Sequence, residues 1–172
     1  MSTTQFDVGT YGGRICTPAS VLVACQFLLG RPLSPDLLRQ CLQVAHVLYV
    51  ERFTRMQLLM VEDVLPLLPA QSYVQTLVAG AGPDDDYCEM DANQPLLLRA
   101  LPSLLSQLLS EKKRVAAVLT TRGHTCAYLF DGSEEAQRYD PAVGFCVPLR
   151  LDVVPHGEYS GVVLRLLGAT CP

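Results

Sequence analysis

The stretch that decides the fold is Arg114 to Val143, RVAAVLTTRGHTCAYLFDGSEEAQRYDPAV. It contains three short β-rich runs, RVAAVLTT, HTCAYLF and AQRYDPAV, set apart by Arg122-Gly123 and by Asp131-Gly132-Ser133. No helical period intervenes between them, so the runs are expected to pair as antiparallel neighbours. Two more follow, FCVPLRL at 145–151 and YSGVVLRLL at 159–167, the first preceded by Gly144. The last third of the chain therefore reads as a mostly antiparallel sheet.

Working back from that sheet, the pattern turns helical. In Tyr11 to Gly30, YGGRICTPASVLVACQFLLG, a Gly-Gly turn leads to Cys16 and then to a helix over 18–29. Thr17 is the expected N-cap, Pro18 the first helical position and Gly30 the C-terminal cap. Ser34, Pro35 and Asp36 start a second helix over 35–50, and Thr54 with Gln57 offers a capping box for a third over 55–65, ended by Pro66 and Pro69. Residues 73–78 read as a strand and 79–94 as an acidic, Gly-rich loop. Leu96 to Ser110 reads as an amphipathic helix, kinked or restarted near Pro102. Helices first and an antiparallel sheet second make an α+β fold, expected as a single domain over 1–172.

Composition narrows the function classes. A net charge of −4 with scattered basic residues excludes a nucleic-acid surface of the usual kind. No apolar run approaches the roughly 18 to 20 residues that cross a bilayer, and the N-terminus carries no secretory pattern, so an intracellular protein is expected. The cysteines are Cys16, Cys25, Cys41, Cys88, Cys126, Cys146 and Cys171, an odd number without a CxxC or zinc spacing. They read as reduced thiols, with Cys25, Cys126 and Cys146 in the core. Asp84, Asp85 and Asp86 are adjacent and cannot all converge on one ion from an extended chain. No metal or cofactor is expected.

The chemistry rests on Cys16. A thiol at a helix start lies where free N–H groups and the helix dipole favour the thiolate. The candidate base is His124, at the start of HTCAYLF, and the candidate orienting carboxylate is Asp140 in RYDPAV. A hairpin turning near 131–134 is expected to set these two opposite each other. Together they form the Cys-His-Asp arrangement in which imidazole deprotonates the thiol and the carboxylate fixes the ring. Gln5, the one Gln, Asn or His ahead of the nucleophile, is the candidate oxyanion donor. Gly12, Gly13 and Gly123 are candidates for a narrow substrate channel. His156 lies in a Pro-Gly turn and is the weaker base; His46, among apolar neighbours, reads as structural.

Gln5-Phe6-Asp7, Tyr11-Gly12-Gly13 with Cys16 at a helix start, RYDPAV, and VVPHGEYSGVVLRLL together resemble the N-terminal cysteine-protease domain of the herpesvirus large tegument protein. The resemblance implies a papain-like fold, N-terminal helices on a mostly antiparallel C-terminal sheet. It also implies a monomeric thiol-dependent deubiquitinase, cleaving after the C-terminal glycine of ubiquitin or a ubiquitin-like protein in the cytoplasm or nucleus of a host cell. Two departures stand out. The viral domains carry their histidine two residues after the aspartate, where this chain has Ala142, and a Gln before the nucleophile, where it has Ile15. A papain-like peptidase or amidase with another substrate, and an interaction module without catalysis, are the alternative readings.

Overall fold

The structure, a computed structural model, describes residues 2–53, 58–67, 73–80, 87–91, 94–99, 101–150 and 159–166. The expected Thr54–Gln57 capping box, Asp84 to Asp86 and His156 lie outside the described residues.

Helix α1 spans Cys16–Leu28 and α2 spans Pro35–Arg52. The second begins as the sequence predicts, with the Leu37 N–H donating to Ser34 Oγ at 3.2 Å. The first begins two residues early. Cys16 is its first helical residue, Ile15 stands at the N-cap position, and no side chain caps it. Thr17 does not cap because its hydroxyl is turned inward, onto the Leu59 carbonyl. At the other end Gly30, at φ +77°, takes up the last turn, and its N–H donates to the Phe27 carbonyl at 2.9 Å. Of the expected helix over 55–65, the described part holds a short α3, Val61–Val64, and a 3-10 turn, Leu65–Leu67, that contains Pro66.

All strand pairs are antiparallel: β1 (Tyr73–Gly80), β2 (Tyr87–Asp91), β3 (Gln94–Arg99), β4 (Arg114–Thr121), β5 (His124–Asp131), β6 (Ala136–Tyr139), β7 (Cys146–Pro148) and β8 (Tyr159–Leu166). They form one eight-stranded sheet in the order β3-β2-β1-β8-β4-β5-β6-β7. Two expectations fail here. Residues 87–91 are a strand within the expected acidic loop, and the expected helix over 96–110 is a strand up to Arg99 followed by α4, Leu101–Ser110. The leucines at 96–98 are followed by those at 101, 104 and 105 with only Arg99, Ala100, Pro102 and Ser103 between, too short a break for periodicity to separate strand from helix. Pro95 fits because β3 is an edge strand, where a missing N–H leaves no ladder bond unmade. Strands thus also lie between the early helices and β4, while the α+β class holds.

The sheet is covered on both faces. Ile15, Ala19, Leu42 and Tyr49 pack with Val118, Leu129, Tyr139 and Leu164 on the α1–α2 side. Leu105 and Leu108 of α4 pack with Val115, Ala117, Tyr128, Phe130 and Val163 on the other. Burial of both faces is why β4 and β5 read as continuous apolar runs rather than alternating ones.

At the centre, β8 contacts β1 on one side and β4 on the other, and Gly161 pairs with both Val78 and Leu119. A Cβ at Gly161 would overlap the Val118 carbonyl oxygen. Gly161→Ala is therefore expected to destabilise the fold by about 2–4 kcal/mol, because two ladders must shift to admit one methyl group. Urea unfolding of the variant against wild type measures this.

Candidate functional site

The nucleophile candidate is carried by the helix facing the sheet. Cys16 is 6% exposed, at the mouth of α1. A line of buried hydroxyls fixes that mouth to β5. Thr17 Oγ1 donates to the Leu59 carbonyl at 2.7 Å and so accepts from Thr125 Oγ1, also at 2.7 Å. Thr125 in turn accepts from Thr120 at 2.7 Å, and Ser20 Oγ donates to the Thr125 carbonyl at 3.1 Å. The direction of every proton follows from the one carbonyl at the end of the line. Thr125→Val keeps the shape but removes the middle link and orphans the buried Thr120 hydroxyl. It is expected to cost about 1–3 kcal/mol in urea unfolding.

Next to Thr125 stands His124. It is the first residue of β5, directly after the two-residue turn of Arg122 (φ +50°) and Gly123 (φ +75°), which joins Thr121 to His124 across the β4–β5 hairpin. Its Nε2 donates to Asp140 Oδ1 at 2.6 Å, which leaves Nδ1 for a thiol. Cys16 and Cys126 both favour the charged imidazole, and the Cys126 sulfur lies within 4.8 Å of a ring nitrogen.

Asp140 sits just past β6. The ladder pairs Ala127 with Tyr139, so continuing the register sets Asp140 beside Cys126 and not, as the sequence reading expected, directly across from His124. The two meet on the diagonal, a span that an imidazole can cover. Both carboxylate oxygens are used. Oδ1 accepts from His124 and from the Ala142 N–H at 2.9 Å, and Oδ2 accepts from Arg138 Nη2 at 3.0 Å. The Val143 and Gly144 N–H groups donate to the Asp140 carbonyl and close the turn.

The charges agree with this wiring. Hydrogen bonding to Asp140, with further bonds to Cys126 and Cys16, outweighs burial and pushes His124 from 6.5 up to about 12. Burial raises the Cys16 thiol, but the His124 hydrogen bond, the Thr125 N–H and the imidazolium charge outweigh it, holding the thiol below its ordinary 9.0. Burial likewise raises Asp140, and the bonds from His124 and Ala142 with the charges of His124 and Arg138 bring it below 3.8. The shifts all favour the charged forms: thiolate on Cys16, imidazolium on His124 and carboxylate on Asp140.

Gln5 is 3% exposed, and its N–H donates to the Pro141 carbonyl at 2.8 Å, next to Asp140. Gly12 is buried against the Gln5 carbonyl, which gives its missing side chain a packing reason; Gly13 and Gly123 are exposed. His46 accepts the Tyr11 N–H at Nε2 (3.3 Å) and supports the loop ahead of Cys16, as a structural histidine would.

The sequence reading missed Cys126 and Arg138. Cys126, read from the sequence as a core residue, is buried there, yet its sulfur lies within 4.8 Å of a His124 ring nitrogen and accepts a long bond from Arg138 Nη2 at 3.8 Å. The signal was the two-residue period, since 126 shares a strand face with 124, and 138 shares one with 140. The donor atoms of His124, Cys126 and Asp140 all lie within 4.8 Å of one another, the one such trio found among the described residues. A soft cation would bind there only against the Arg138 guanidinium, which already holds two of the three groups.

Among the described residues no helix is long and apolar enough to cross a membrane. No protein-family model matches the sequence, and no curated protein sequence is significantly similar to it. The fold does have a solved counterpart, the ubiquitin-specific protease encoded by murine cytomegalovirus tegument protein M48, determined in complex with a ubiquitin-based suicide substrate. The similarity covers 99% of this chain and 88% of that one, with a TM-score of 0.64 and 12% sequence identity. The chain therefore has the papain-like fold of the herpesvirus tegument protease.

Proposed function

We propose that the protein is a cysteine-type hydrolase that cleaves the bond after the C-terminal glycine of ubiquitin. Cys16 is the nucleophile, His124 its base and then the acid for the leaving amine, and Asp140 orients the ring. Gln5 and the Cys16 N–H stabilise the oxyanion. The observation that carries the reading is the 2.6 Å bond to Asp140 from His124, on the strand to which the Thr17–Thr125 bond fixes the mouth of α1, the helix that Cys16 opens. The displaced histidine is compatible with it. Ala142, where the viral domains carry theirs, bonds through its N–H to the same Asp140 oxygen that His124 binds, so the imidazole approaches that oxygen from the neighbouring strand instead.

Ubiquitin as substrate is supported by the fold shared with M48. It is also supported by exposed apolar side chains beside two of the glycines. Phe6 lies against Gly13, and Leu58 lies against Gly123. A protein tail ending in Gly-Gly suits such a surface, because only glycines pass where side chains crowd the path.

The test is a ubiquitin derivative with a thiol-reactive C-terminus, with the adduct mapped by mass spectrometry. Labelling at Cys16 is expected. Fast alkylation of Cys16 by iodoacetamide without ubiquitin labelling would shift the reading to a peptidase of another substrate. A Cys16 that reacts no faster than an ordinary thiol would leave an interaction module.

A further inference from the structure

The backbone of Gln5 is fixed from three directions. Its N–H is bound by the Pro141 carbonyl in the turn after Asp140. Ahead of it, Asp7 Oδ2 accepts from both the N–H (2.7 Å) and the hydroxyl (2.8 Å) of Thr4, and Thr4 Oγ1 accepts from the Phe6 N–H at 3.3 Å. This reciprocal cap closes the 3-10 turn Gln5–Asp7. From the third side, the Gln5 carbonyl rests on Gly12 so closely that a Cβ would overlap its oxygen. Gly12 lies in the loop that leads into Cys16. The side chain of Gln5 is not tied down through its oxygen, since Oε1 is buried and has no partner among the described residues. A fixed backbone beneath the amide is what a preorganised donor requires, the N–H group being the part that meets an oxyanion.

We propose that Gly12 is a positioning residue. By taking the Gln5 carbonyl against its bare Cα, it sets where the Gln5 amide meets the oxyanion. The proposal rests on the hydrolase reading above. When the Cys16 sulfur bonds to the scissile carbonyl carbon, the C=O π pair moves to oxygen, and the Gln5 amide and the Cys16 N–H meet that charge. The pair then returns, the C–N bond breaks and the amine leaves with the His124 proton; water next releases the acid from the thioester. A misplaced Gln5 slows only the steps that carry charge on oxygen and leaves the thiolate as it was.

The experiment compares wild type, Gly12→Ala, Gln5→Ala and the double variant, by hydrolysis of a fluorogenic C-terminal ubiquitin amide and by iodoacetamide alkylation of Cys16. Gln5→Ala is expected to lower kcat by about 100-fold, the usual loss of one oxyanion donor. Gly12→Ala is expected to lower kcat by about tenfold or more, with KM and the alkylation rate near wild type. The double variant should be no slower than Gln5→Ala, because both act through one amide. Wild-type kcat in Gly12→Ala overturns the proposal, as do losses that multiply in the double variant. If Gly12→Ala fails to fold, Asp7→Ala decides, since Asp7 is exposed and its loss frees only Thr4. A severalfold fall in kcat that vanishes in the Gln5→Ala background supports the positioning of Gln5, and an unchanged kcat overturns it. An inactive wild type removes the hydrolase reading along with the proposal, whereas failure of the variants alone removes only the proposal.

Discussion

Cys16→Ser is expected to lower ubiquitin-amide hydrolysis on the order of 10⁴-fold or more while leaving the fold intact. Serine is close in size to the cysteine it replaces, so the α1 mouth, held by Thr17 and Ser20 on Thr125, has no reason to move. The change is electronic. The imidazolium of His124 and the Thr125 N–H favour the thiolate and hold the thiol below its ordinary 9.0, whereas an alcohol is a far weaker acid. Initial rates on a fluorogenic substrate, with circular dichroism to verify folding, measure the loss. Cys126→Ser is the necessary companion, because Cys126 is the other thiol on the same ring. If Cys16→Ser keeps activity within tenfold and Cys126→Ser does not, the nucleophile is on β5 rather than α1.

His124→Ala is expected to lower kcat by about 10³-fold and to move the thiol. In wild type the largest influence on Cys16 is burial, which raises it, and His124 supplies the chief opposing bond and the opposing charge. Remove the ring and burial is opposed mainly by Thr125, so Cys16 rises. The midpoint of the pH profile for iodoacetamide alkylation of wild-type Cys16 should lie below 9.0, and in the variant it should move to higher pH. An identical pH profile in the two proteins would show that His124 does not ionise the thiol.

The same groups set a stability window. His124 has a folded value above its unfolded 6.5, so its contribution is complete below that pH and fades only as pH climbs toward about 12. Asp140 has a folded value below 3.8, so its contribution is present above 3.8 and is lost as pH falls through the folded value. Both are therefore in force around neutrality; acid removes the Asp140 contribution, and alkali, starting above 6.5, removes that of His124.

Much of this was legible in the chain. Ser34-Pro35 and the apolar spacing after it place α2, and Pro18 with Gly30 brackets most of α1. The runs from Arg114 onward give their strands because β-branched residues are punctuated by Asp131-Gly132 and Gly144. What failed did so for physical reasons. YCEMD has the composition of a loop, and it is a strand because β1 and β3 supply its hydrogen-bond partners from both sides. The sheet order was not readable either, since nothing in YSGVVLRLL says that it lies between strands from two distant segments. Cys16, His124 and Asp140 could be picked out because their residue types carry the chemistry. Arg138 and Cys126 were marked only by the two-residue period that puts them on the faces of Asp140 and His124, and the threonine line was not marked at all, because it depends on which hydroxyl faces which.

The place of β8 has a consequence for how the molecule comes into being. Strands β4 to β7 pair with near neighbours in the chain, so the hairpin bearing His124 and the turn bearing Asp140 can assemble locally. The β1–β3 group is joined to them only through the last strand, inserted between β1 and β4. A chain still emerging from the ribosome therefore holds two half-sheets with open edges until residues 159–166 arrive. Cys16 is made before any of the eight strands, and β8, which joins the two half-sheets, is made after the other seven.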